Sequence, residues 1–227
     1  PVTVLADQIV TDGWETLLIP ETEAEIREMG LKVVPRQINF GPEFYPATDA
    51  IDIPPVVLGH NTGGACSDWT PTAEGYDTEE VEWQHKHAYR LIYKVRNHKE
   101  LITQYEEIAT ADDPEVILVA YGSPSRVLKS AVKAAREQGL KVGGIRLVAI
   151  WPFPDEAFRN RTKYLSVELN YDGQLVREIK RAAPKDSEVH FLGRCGELPQ
   201  VAELIDAAQR LIQGKRLESI EWRREAW

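Results

Sequence analysis

Strand-like and helix-like hydrophobic patterns alternate along the second half of the chain. Val116–Tyr121 is a continuous apolar run that ends at Gly122, as is typical of a buried strand. Pro124 suits a first helical position, we expect Ser123 to be the hydroxyl N-cap, and Gly139 ends the helix. Apolar residues recur there at three- and four-residue spacing: Val127, Leu128, Ala131, Val132 and Ala135. The pattern predicts a strand, a tight turn and a crossover helix.

The same alternation continues towards the C-terminus. Further strands are predicted at 144–150, 164–168 and 189–192, with a short helix through Phe158 and a longer one at about 174–183. A final helix carries Val201, Leu204, Ile205, Ala208, Leu211 and Ile212. Residues 113–214 are therefore predicted to form an α/β domain of about four strands, an open sheet with helices on both faces.

The first half of the chain has weaker periodicity. Residues 1–7 read as a strand from the middle of a sheet, so we expect an N-terminal part upstream of Pro1. Residues 11–71 are dense in Pro, Gly and Asp and predict an extended connector. A long helix is predicted from about Thr78 to Ile108. The chain thus divides into 1–77, a linking helix within 78–112, and an α/β domain with a C-terminal tail over 113–227.

The connector lacks the periodicity needed to bury a core of its own. We therefore expect residues 11–76 to be ordered mainly by contacts with another domain or chain. The apolar contacts would come from five aromatic residues: Trp14, Phe40, Phe44, Tyr45 and Trp69.

Composition narrows the classes of partner. The chain has 27 basic and 36 acidic residues among 227, a formal net charge of −9, and such a surface repels nucleic acid and anionic membranes. No apolar run approaches the ~20 residues that a bilayer crossing needs. Cys66 and Cys195 stand alone, outside any Cys-x-x-Cys pair, so we expect no zinc or cluster bound through them. A disulfide between them stays open, but free thiols favour a cytoplasmic location.

Several residues invite a chemical interpretation. The glycine-rich stretch 59–66 offers backbone amides to an anion, but it lacks the following helix and Lys-Ser/Thr of a phosphate loop, which favours a surface turn. His85 and His87 are two apart on a predicted helix, whereas helical metal ligands are three or four apart. Cys66 near His60 lacks a third, orienting group, which favours a packed thiol. We therefore predict no metal site and no catalytic residue.

Two turns follow predicted strands, at the edge where open α/β sheets bind ligands or partners. The turn 121–125 begins a helix, and a capped helix start explains its residues without a ligand, which favours the cap over a ligand site. Glu168, Asn170, Gly173 and Gln174 follow the strand at 164–168. We predict that these four residues face a subunit or domain interface rather than open solvent.

Five segments of the second half, taken in order and at similar spacing, resemble the alpha-type subunits of the 2-oxoacid:ferredoxin oxidoreductases. They are ILVAYGSPSR at 117–126, KSAV at 129–132, GLKVGGIR at 139–146, WPFP at 151–154, and VELN at 167–170 with Gly173 and Gln174. Residues 1–7 are similar to the last strand of that family's thiamine-pyrimidine domain. The stretch 59–77 departs from the family pattern and leaves the substrate subclass open.

The resemblance implies a fold, an activity and a set of partners. Residues 113–214 would be a transketolase C-terminal-like domain, preceded by the end of a thiamine-pyrimidine-type domain. The implied enzyme oxidatively decarboxylates a 2-oxoacid to its acyl-coenzyme A, with 2-oxoglutarate our first expectation and a branched-chain 2-oxoacid the second. Its thiamine diphosphate, Mg²⁺ and [4Fe–4S] clusters belong to the whole complex, and we expect this chain alone to bind none of them.

The implied partners are a beta subunit that binds thiamine diphosphate, the missing pyrimidine-type domain or chain, and ferredoxin. The alternative is a stand-alone α/β module that binds a small ligand or acts as a scaffold near Gly122 and Glu168. Partners separate the two hypotheses, because an oxidoreductase subunit requires a thiamine- or cluster-bearing partner, whereas the module predicts a colourless monomer.

Overall fold

The computed structural model describes residues 11–14, 16, 18–29, 69–161 and 163–217. The chain divides into two compact units, one of which comprises Trp14–Lys99 and the other the remainder. The expectations for Phe40, Phe44, Tyr45 and the stretch 59–66 lie outside the described residues, as do those for residues 1–7.

In the unit Trp14–Lys99, two helices are described. Helix α1 (Glu23–Glu28) begins with a capping box, in which the Glu25 backbone N–H donates to the Thr22 hydroxyl and the Glu25 carboxylate accepts the Thr22 N–H. Helix α2 spans Val81–Arg96, and no residue of it is fully buried. A turn closed by a bridge between Pro71 and Asp77 precedes α2.

The described residues of the second unit form one mixed sheet of five strands, in the order β1-β3-β2-β4-β5. The strands are β1 (Tyr105–Ile108), β2 (Val116–Tyr121), β3 (Val142–Leu147), β4 (Lys163–Glu168) and β5 (Glu188–Gly193). Strand β1 pairs antiparallel with β3, whereas the other pairs are parallel. Continuous burial along β2 and β4 explains why their sequences read as apolar runs rather than as alternations.

Helices cover both faces of this sheet. Helices α4 (Pro124–Glu137) and α6 (Val201–Ile212) pack on one face, over a cluster that includes Leu118, Leu165 and Leu204. The 3-10 helix Asp155–Phe158 and helix α5 (Gln174–Ala182) pack on the other, over Ile117, Tyr164 and Ile179. The predicted fold class, an open α/β sheet covered on both faces, is confirmed.

Tyr164 places a polar atom in the apolar cluster beneath the 3-10 helix and α5. Its ring is fully buried, and its hydroxyl lies 2.7 Å from the Phe158 carbonyl oxygen and 3.0 Å from that of Arg161. Burial raises the pKa of the Tyr164 phenol to about 12. The phenol therefore stays protonated and acts as a donor in the core.

The predicted helix from Thr78 to Ile108, and with it the linking helix assigned within 78–112, is wrong in its second half. Helix α2 ends at Arg96, a short helix α3 spans Lys99–Ile102, and Tyr105–Ile108 is strand β1. The sequence Tyr-Glu-Glu-Ile carries charges at its centre, and it pairs as an edge strand in which Glu107 is exposed. Two central charges between apolar residues fit the end of an exposed helix as well as a short edge strand. The hydrophobic pattern therefore did not distinguish helix from strand at Tyr105–Ile108.

The start of helix α4 also differs from the expectation. Pro124 is its first residue, as predicted, but Ser123 has helical dihedral angles and makes no side-chain capping bond. The Ser125 hydroxyl donates instead to the Gly122 carbonyl oxygen at 2.6 Å. The turn is therefore closed by the second serine rather than the first.

Among the helices of the described residues, none is long and apolar enough to cross a bilayer.

Candidate functional site at the carboxyl edge of the sheet

The parallel strands bring four loops to one edge of the sheet. We call this the carboxyl edge, formed by residues 121–125, 148–154, 168–174 and 193–200, which follow β2, β3, β4 and β5. From β2 the chain passes through α4 to β3, whereas from β4 it passes through α5, on the opposite face, to β5. Strands β2 and β4 therefore flank a topological switch point, the place where open α/β sheets bind ligands.

Glu168 is the last residue of β4 and is 1% exposed. One carboxylate oxygen accepts the Ser166 hydroxyl at 2.7 Å, and the other accepts the Asn170 side-chain amide and the Leu175 backbone N–H, each at 2.9 Å. Leu175 lies in the first turn of α5, where the backbone N–H groups favour a negative charge. The buried carboxylate therefore ties the strand end, the following loop and the start of a helix together.

Asn170 continues this network into the loop. Its side-chain oxygen accepts the backbone N–H of Asp172 at 3.0 Å and that of Gly173 at 2.8 Å. Gly173 precedes α5 with φ +63, a left-handed conformation that glycine adopts without strain. Both polar functions of the Asn170 side chain are thus used inside the loop.

The structure brings together, at one loop between β4 and α5, all four residues predicted to face an interface. Glu168 and Gly173 are buried, Asn170 is half-buried, and Gln174 is exposed. The Glu168 carboxylate is occupied by donors of its own chain and is inaccessible to a ligand. Its role is to hold the loop in shape, and a partner that meets this edge would touch the exposed residues around it.

Large apolar side chains stand exposed at the same edge. Val148 is 54% exposed, and Trp151 and Tyr171 are each 57% exposed. Val148 and Trp151 follow β3, whereas Tyr171 follows β4, on the other side of β2. The predicted strand 144–150 included Val148, but β3 spans Val142–Leu147 and leaves Val148 in the following loop. Sequence reasoning did not single out Trp151 and Tyr171 as a surface, although each comes just after a predicted strand, the position at which exposed aromatic residues suggest a contact surface.

A groove of about 590 Å³ opens beside edge strand β5 and helix α6. Its charged residues are already paired: Arg194 with Glu203, and Arg210 with Asp206 at 3.0 Å. Burial raises the pKa of Glu203, but the Gln200 backbone N–H and the Arg194 guanidinium outweigh burial and leave that pKa lowered. The residues that line this groove are spread along the chain from Tyr171 to Leu217. No local sequence pattern therefore predicts it.

The histidine pair does not form a shared site. His87 Nε2 lies 2.9 Å from the Pro71 carbonyl oxygen, and its ring stacks on Trp83, whereas His85 is exposed. In the part of the chain that the structure describes, no cluster of three or more His, Cys, Asp or Glu residues is placed to hold a metal ion. His60 and Cys66 lie outside that part.

Comparison with known proteins identifies matching oxidoreductase subunits. Residues 114–204 match the model of the pyruvate:ferredoxin oxidoreductase core domain II. The chain is 31% identical over 218 residues to the 2-oxoglutarate synthase subunit KorA of Methanothermobacter thermautotrophicus, covering 91% of this chain and 55% of that protein. It is 44% identical over 84 residues to the ketoisovalerate oxidoreductase subunit VorB of Methanothermobacter marburgensis, covering 35% of this chain and 23% of that protein.

The fold has a solved counterpart. A 2-oxoglutarate:ferredoxin oxidoreductase from Magnetococcus marinus superposes with a TM-score of 0.69 at 19% identity, over 86% of this chain and 35% of that chain. At that identity the likeness concerns the fold. The chain spans about half the length of the KorA relatives that it matches.

Proposed function

Since the chain belongs to the family of 2-oxoacid:ferredoxin oxidoreductase subunits, we propose that it is the C-terminal portion of such a subunit. The enzyme oxidatively decarboxylates a 2-oxoacid, transfers the acyl group to coenzyme A and passes the electrons to ferredoxin. Support comes from relatives named as oxidoreductase subunits that match along most of this chain. No comparable observation favours a stand-alone binding or scaffold module.

The part of this chain in that enzyme is to present the carboxyl edge to a neighbouring domain or subunit. The single observation that carries the proposal is the exposed apolar set Val148, Trp151 and Tyr171 at this edge. Tyr171 lies in the loop that Glu168 fixes from inside, whereas Val148 and Trp151 lie in the loop that follows β3. Exposed aromatic residues on a rigid support are typical of the centres of protein interfaces. Asn170 and Gln174 would lie at the rim of that contact.

The described residues do not fit a thiamine diphosphate and Mg²⁺ site. Glu168 is the one fully buried carboxylate among them, and both its oxygens accept hydrogen bonds from its own chain. In the family's chemistry thiamine diphosphate stabilises the carbanion that remains when carbon dioxide leaves. We therefore assign the binding of thiamine diphosphate, Mg²⁺ and [4Fe–4S] clusters to partner subunits or to the upstream domain, and derive no catalytic step through this chain.

Among 2-oxoacids we propose 2-oxoglutarate as the substrate. The relatives that match along 86% to 91% of this chain carry the name 2-oxoglutarate synthase. A branched-chain 2-oxoacid is the second candidate, because the match to the ketoisovalerate oxidoreductase subunit has the higher identity, although over a shorter stretch.

Co-purification followed by an assay tests the proposal. The tagged chain, expressed in its native host, should bring down a partner with thiamine diphosphate and iron–sulfur absorbance. The eluate should reduce ferredoxin when both coenzyme A and a 2-oxoacid are present. The assay is run with 2-oxoglutarate, ketoisovalerate and pyruvate, so that the substrate is ranked directly.

The interface is tested by comparing a double variant with a control variant. The double variant Trp151→Ala/Tyr171→Ala should lose the partner while the domain keeps its melting temperature. The control Lys185→Ala alters an exposed residue at the opposite edge, before β5, and should retain the partner. A tagged chain that elutes colourless and alone would refute the subunit assignment, whereas a partner retained by the double variant would refute the position of the interface.

A further inference from the structure

The groove beside strand β5 runs along the edge of the sheet. Five consecutive residues, 190–194, line it together with residues of helix α6. Successive side chains of a strand point to opposite faces of a sheet, so a groove that touches consecutive residues lies against the edge of that strand. Strand β5 is last in the order of the sheet, and no strand of the described residues pairs with its outer side. One row of backbone N–H and C=O groups therefore faces the groove.

The walls of the groove offer apolar surface rather than unpaired charge. Its two arginines pair with its two carboxylates, Arg194 with Glu203 and Arg210 with Asp206. The apolar surface comes from five residues: Tyr171, Phe191, Leu192, Ala207 and Leu217. An extended segment with large apolar side chains fits such a site, because its backbone pairs with the strand edge and its side chains fill the groove.

Leu217 shows which segment reaches the groove. Helix α6 ends at Ile212, and the Lys215 N–H donates to the Arg210 carbonyl oxygen at 2.9 Å, which turns the chain back at Gly214 with φ +70. Leu217 then packs on the apolar cluster beneath α4 and α6 and lines the groove. The sequence that continues from Leu217 therefore starts inside the groove.

The chain enters the groove at the end where β5 begins. Lys163, which is paired with the first residue of β5, donates to the Leu211 carbonyl oxygen near the end of α6 at 3.1 Å. At the other end, Arg194 follows β5 and pairs with Glu203 in the first turn of α6. Helix α6 therefore runs antiparallel to β5, and a segment that continues from Leu217 can run parallel to β5 towards the carboxyl edge.

The sequence after Leu217 has the length and the side chains that the groove requires. It reads ESIEWRREAW, so Ile220 and Trp222 are two positions apart, the spacing that puts side chains on one face of an extended segment. Trp222 is five positions beyond Leu217, a reach of about 16 Å in an extended chain. Residues 190–194 span about 13 Å by the same measure, so Trp222 can reach the end of the groove that Tyr171 lines.

From these contacts we propose that residues 218–222 bind along the outer edge of β5 in their own chain, with Ile220 and Trp222 in the groove and Trp222 against Tyr171. Proteins commonly cover an open sheet edge, because its unpaired backbone groups recruit other chains. A segment of the same chain is favoured over a separate partner, because Leu217 already holds the start of that segment in the groove. The groove residues carry this inference, which stands apart from the proposed oxidoreductase function.

Amide hydrogen exchange of the 227-residue chain tests the contact. Ile220→Glu/Trp222→Glu should speed exchange within β5 about tenfold, because the charged side chains leave the apolar groove and open the strand edge to water. Trp227→Glu is the matched control and should leave this exchange unchanged, because an extended segment passes the end of the groove before it reaches Trp227. Exchange in β1, the opposite edge of the sheet, should stay the same in both variants.

Disulfide trapping identifies the occupant. In a Cys66→Ser/Cys195→Ser background, Tyr171→Cys/Trp222→Cys should close an intramolecular disulfide on mild oxidation. It should do so at least about tenfold faster than Tyr171→Cys/Trp227→Cys, because binding in the groove raises the effective concentration of position 222 beside position 171.

Three results would overturn the proposal. One is unchanged exchange within β5 in Ile220→Glu/Trp222→Glu, which would show that the segment does not cover the edge. Another is equal trapping of positions 222 and 227, which would show that neither is held beside Tyr171. The third is a covalent dimer in place of the cross-linked monomer, which would assign the groove to a second copy of the chain.

Discussion

The Glu168 carboxylate accepts the backbone N–H of Leu175 at 2.9 Å, across the loop between strand β4 and helix α5. The same carboxylate holds Ser166 within its own strand and Asn170 within the loop. One buried carboxylate therefore fixes the loop between β4 and α5, which carries Tyr171 and Gln174 of the proposed interface.

Replacing Glu168 by alanine should destabilise the domain, because it leaves the Leu175 N–H and the Asn170 amide without their acceptor. We expect a loss of about 1–3 kcal/mol in the free energy of unfolding. Glu168→Gln should lose less: a side-chain oxygen can still accept from Asn170 and Leu175, and the Ser166 hydroxyl can rotate to accept from the new amide. Chemical denaturation of both variants measures the difference.

The control for this prediction is Glu178→Ala, which removes an exposed carboxylate from helix α5. Glu178 is 48% exposed and pairs with Arg181 at 2.8 Å, so its loss should change the free energy of unfolding by no more than about 0.5 kcal/mol. Equal losses for Glu168→Ala and Glu168→Gln would show that charge, rather than the arrangement of donors, stabilises the loop.

Sequence patterns predicted most strands of the sheet but not the hydrogen bonds that hold its loops. Val116–Tyr121 was predictable because a strand buried on both faces must be apolar throughout. Tyr105–Ile108 was missed because an edge strand tolerates charge at its centre. Glu168 was predictable as an edge residue from its place after a strand. Its hydrogen bond to Leu175, seven residues on, depends on how the loop folds back, and no spacing rule encodes that.

Gly193 should be the glycine of this edge that least tolerates a side chain. A Cβ at this position would overlap the Asn170 carbonyl oxygen and the Phe191 ring. We expect Gly193→Ala to lower the free energy of unfolding by about 1–3 kcal/mol and to disturb the loop that Asn170 orders. Thermal melts, together with amide hydrogen exchange of residues 168–174, measure both effects.

Gly196 is the matched control for this substitution. It has φ +80 and nothing within 4 Å of a built Cβ, so Gly196→Ala pays only the strain of a left-handed backbone, about 1–2 kcal/mol. Gly196→Ala should leave hydrogen exchange in residues 168–174 unchanged. Faster exchange there in both variants would contradict the steric explanation.

Arg136 should stabilise the connection that precedes β2. Its guanidinium donates to the Val142 carbonyl oxygen at 2.6 Å and to that of Ala109 at 2.7 Å, and it pairs with Asp112. Arg136→Gln should lower the free energy of unfolding at neutral pH by about 1–3 kcal/mol, because the two carbonyls lose a charged donor. Arg177→Gln, which breaks an exposed pair with Asp172, is the control and should cost less than about 0.5 kcal/mol.

Acid should weaken this contribution of Arg136. A hydrogen bond from Arg136 lowers the pKa of Asp112 in the folded chain, so the pair stabilises the fold above the unfolded-state pKa of about 3.9. That stability is lost as the pH falls through the folded-state pKa. The difference between Arg136→Gln and the parent chain should therefore narrow at low pH. A difference that is constant from pH 7 to pH 3 would show that Asp112 contributes nothing.

The isolated chain should neither bind thiamine diphosphate tightly nor turn over a 2-oxoacid. The reason is local: in the described part of the chain, the buried carboxylate at the carboxyl edge is saturated by its own donors, and no group of acidic or histidine side chains is placed for Mg²⁺. Titration calorimetry with thiamine diphosphate and Mg²⁺ should give no stoichiometric heat for the 227-residue chain, but a binding isotherm once the co-purified partner is added.

The variant Trp151→Ala/Tyr171→Ala should lower the amount of partner captured without changing the affinity of that partner for the cofactor. Tight stoichiometric binding by the chain alone would place the cofactor site within it and overturn the assignment of that site to a partner.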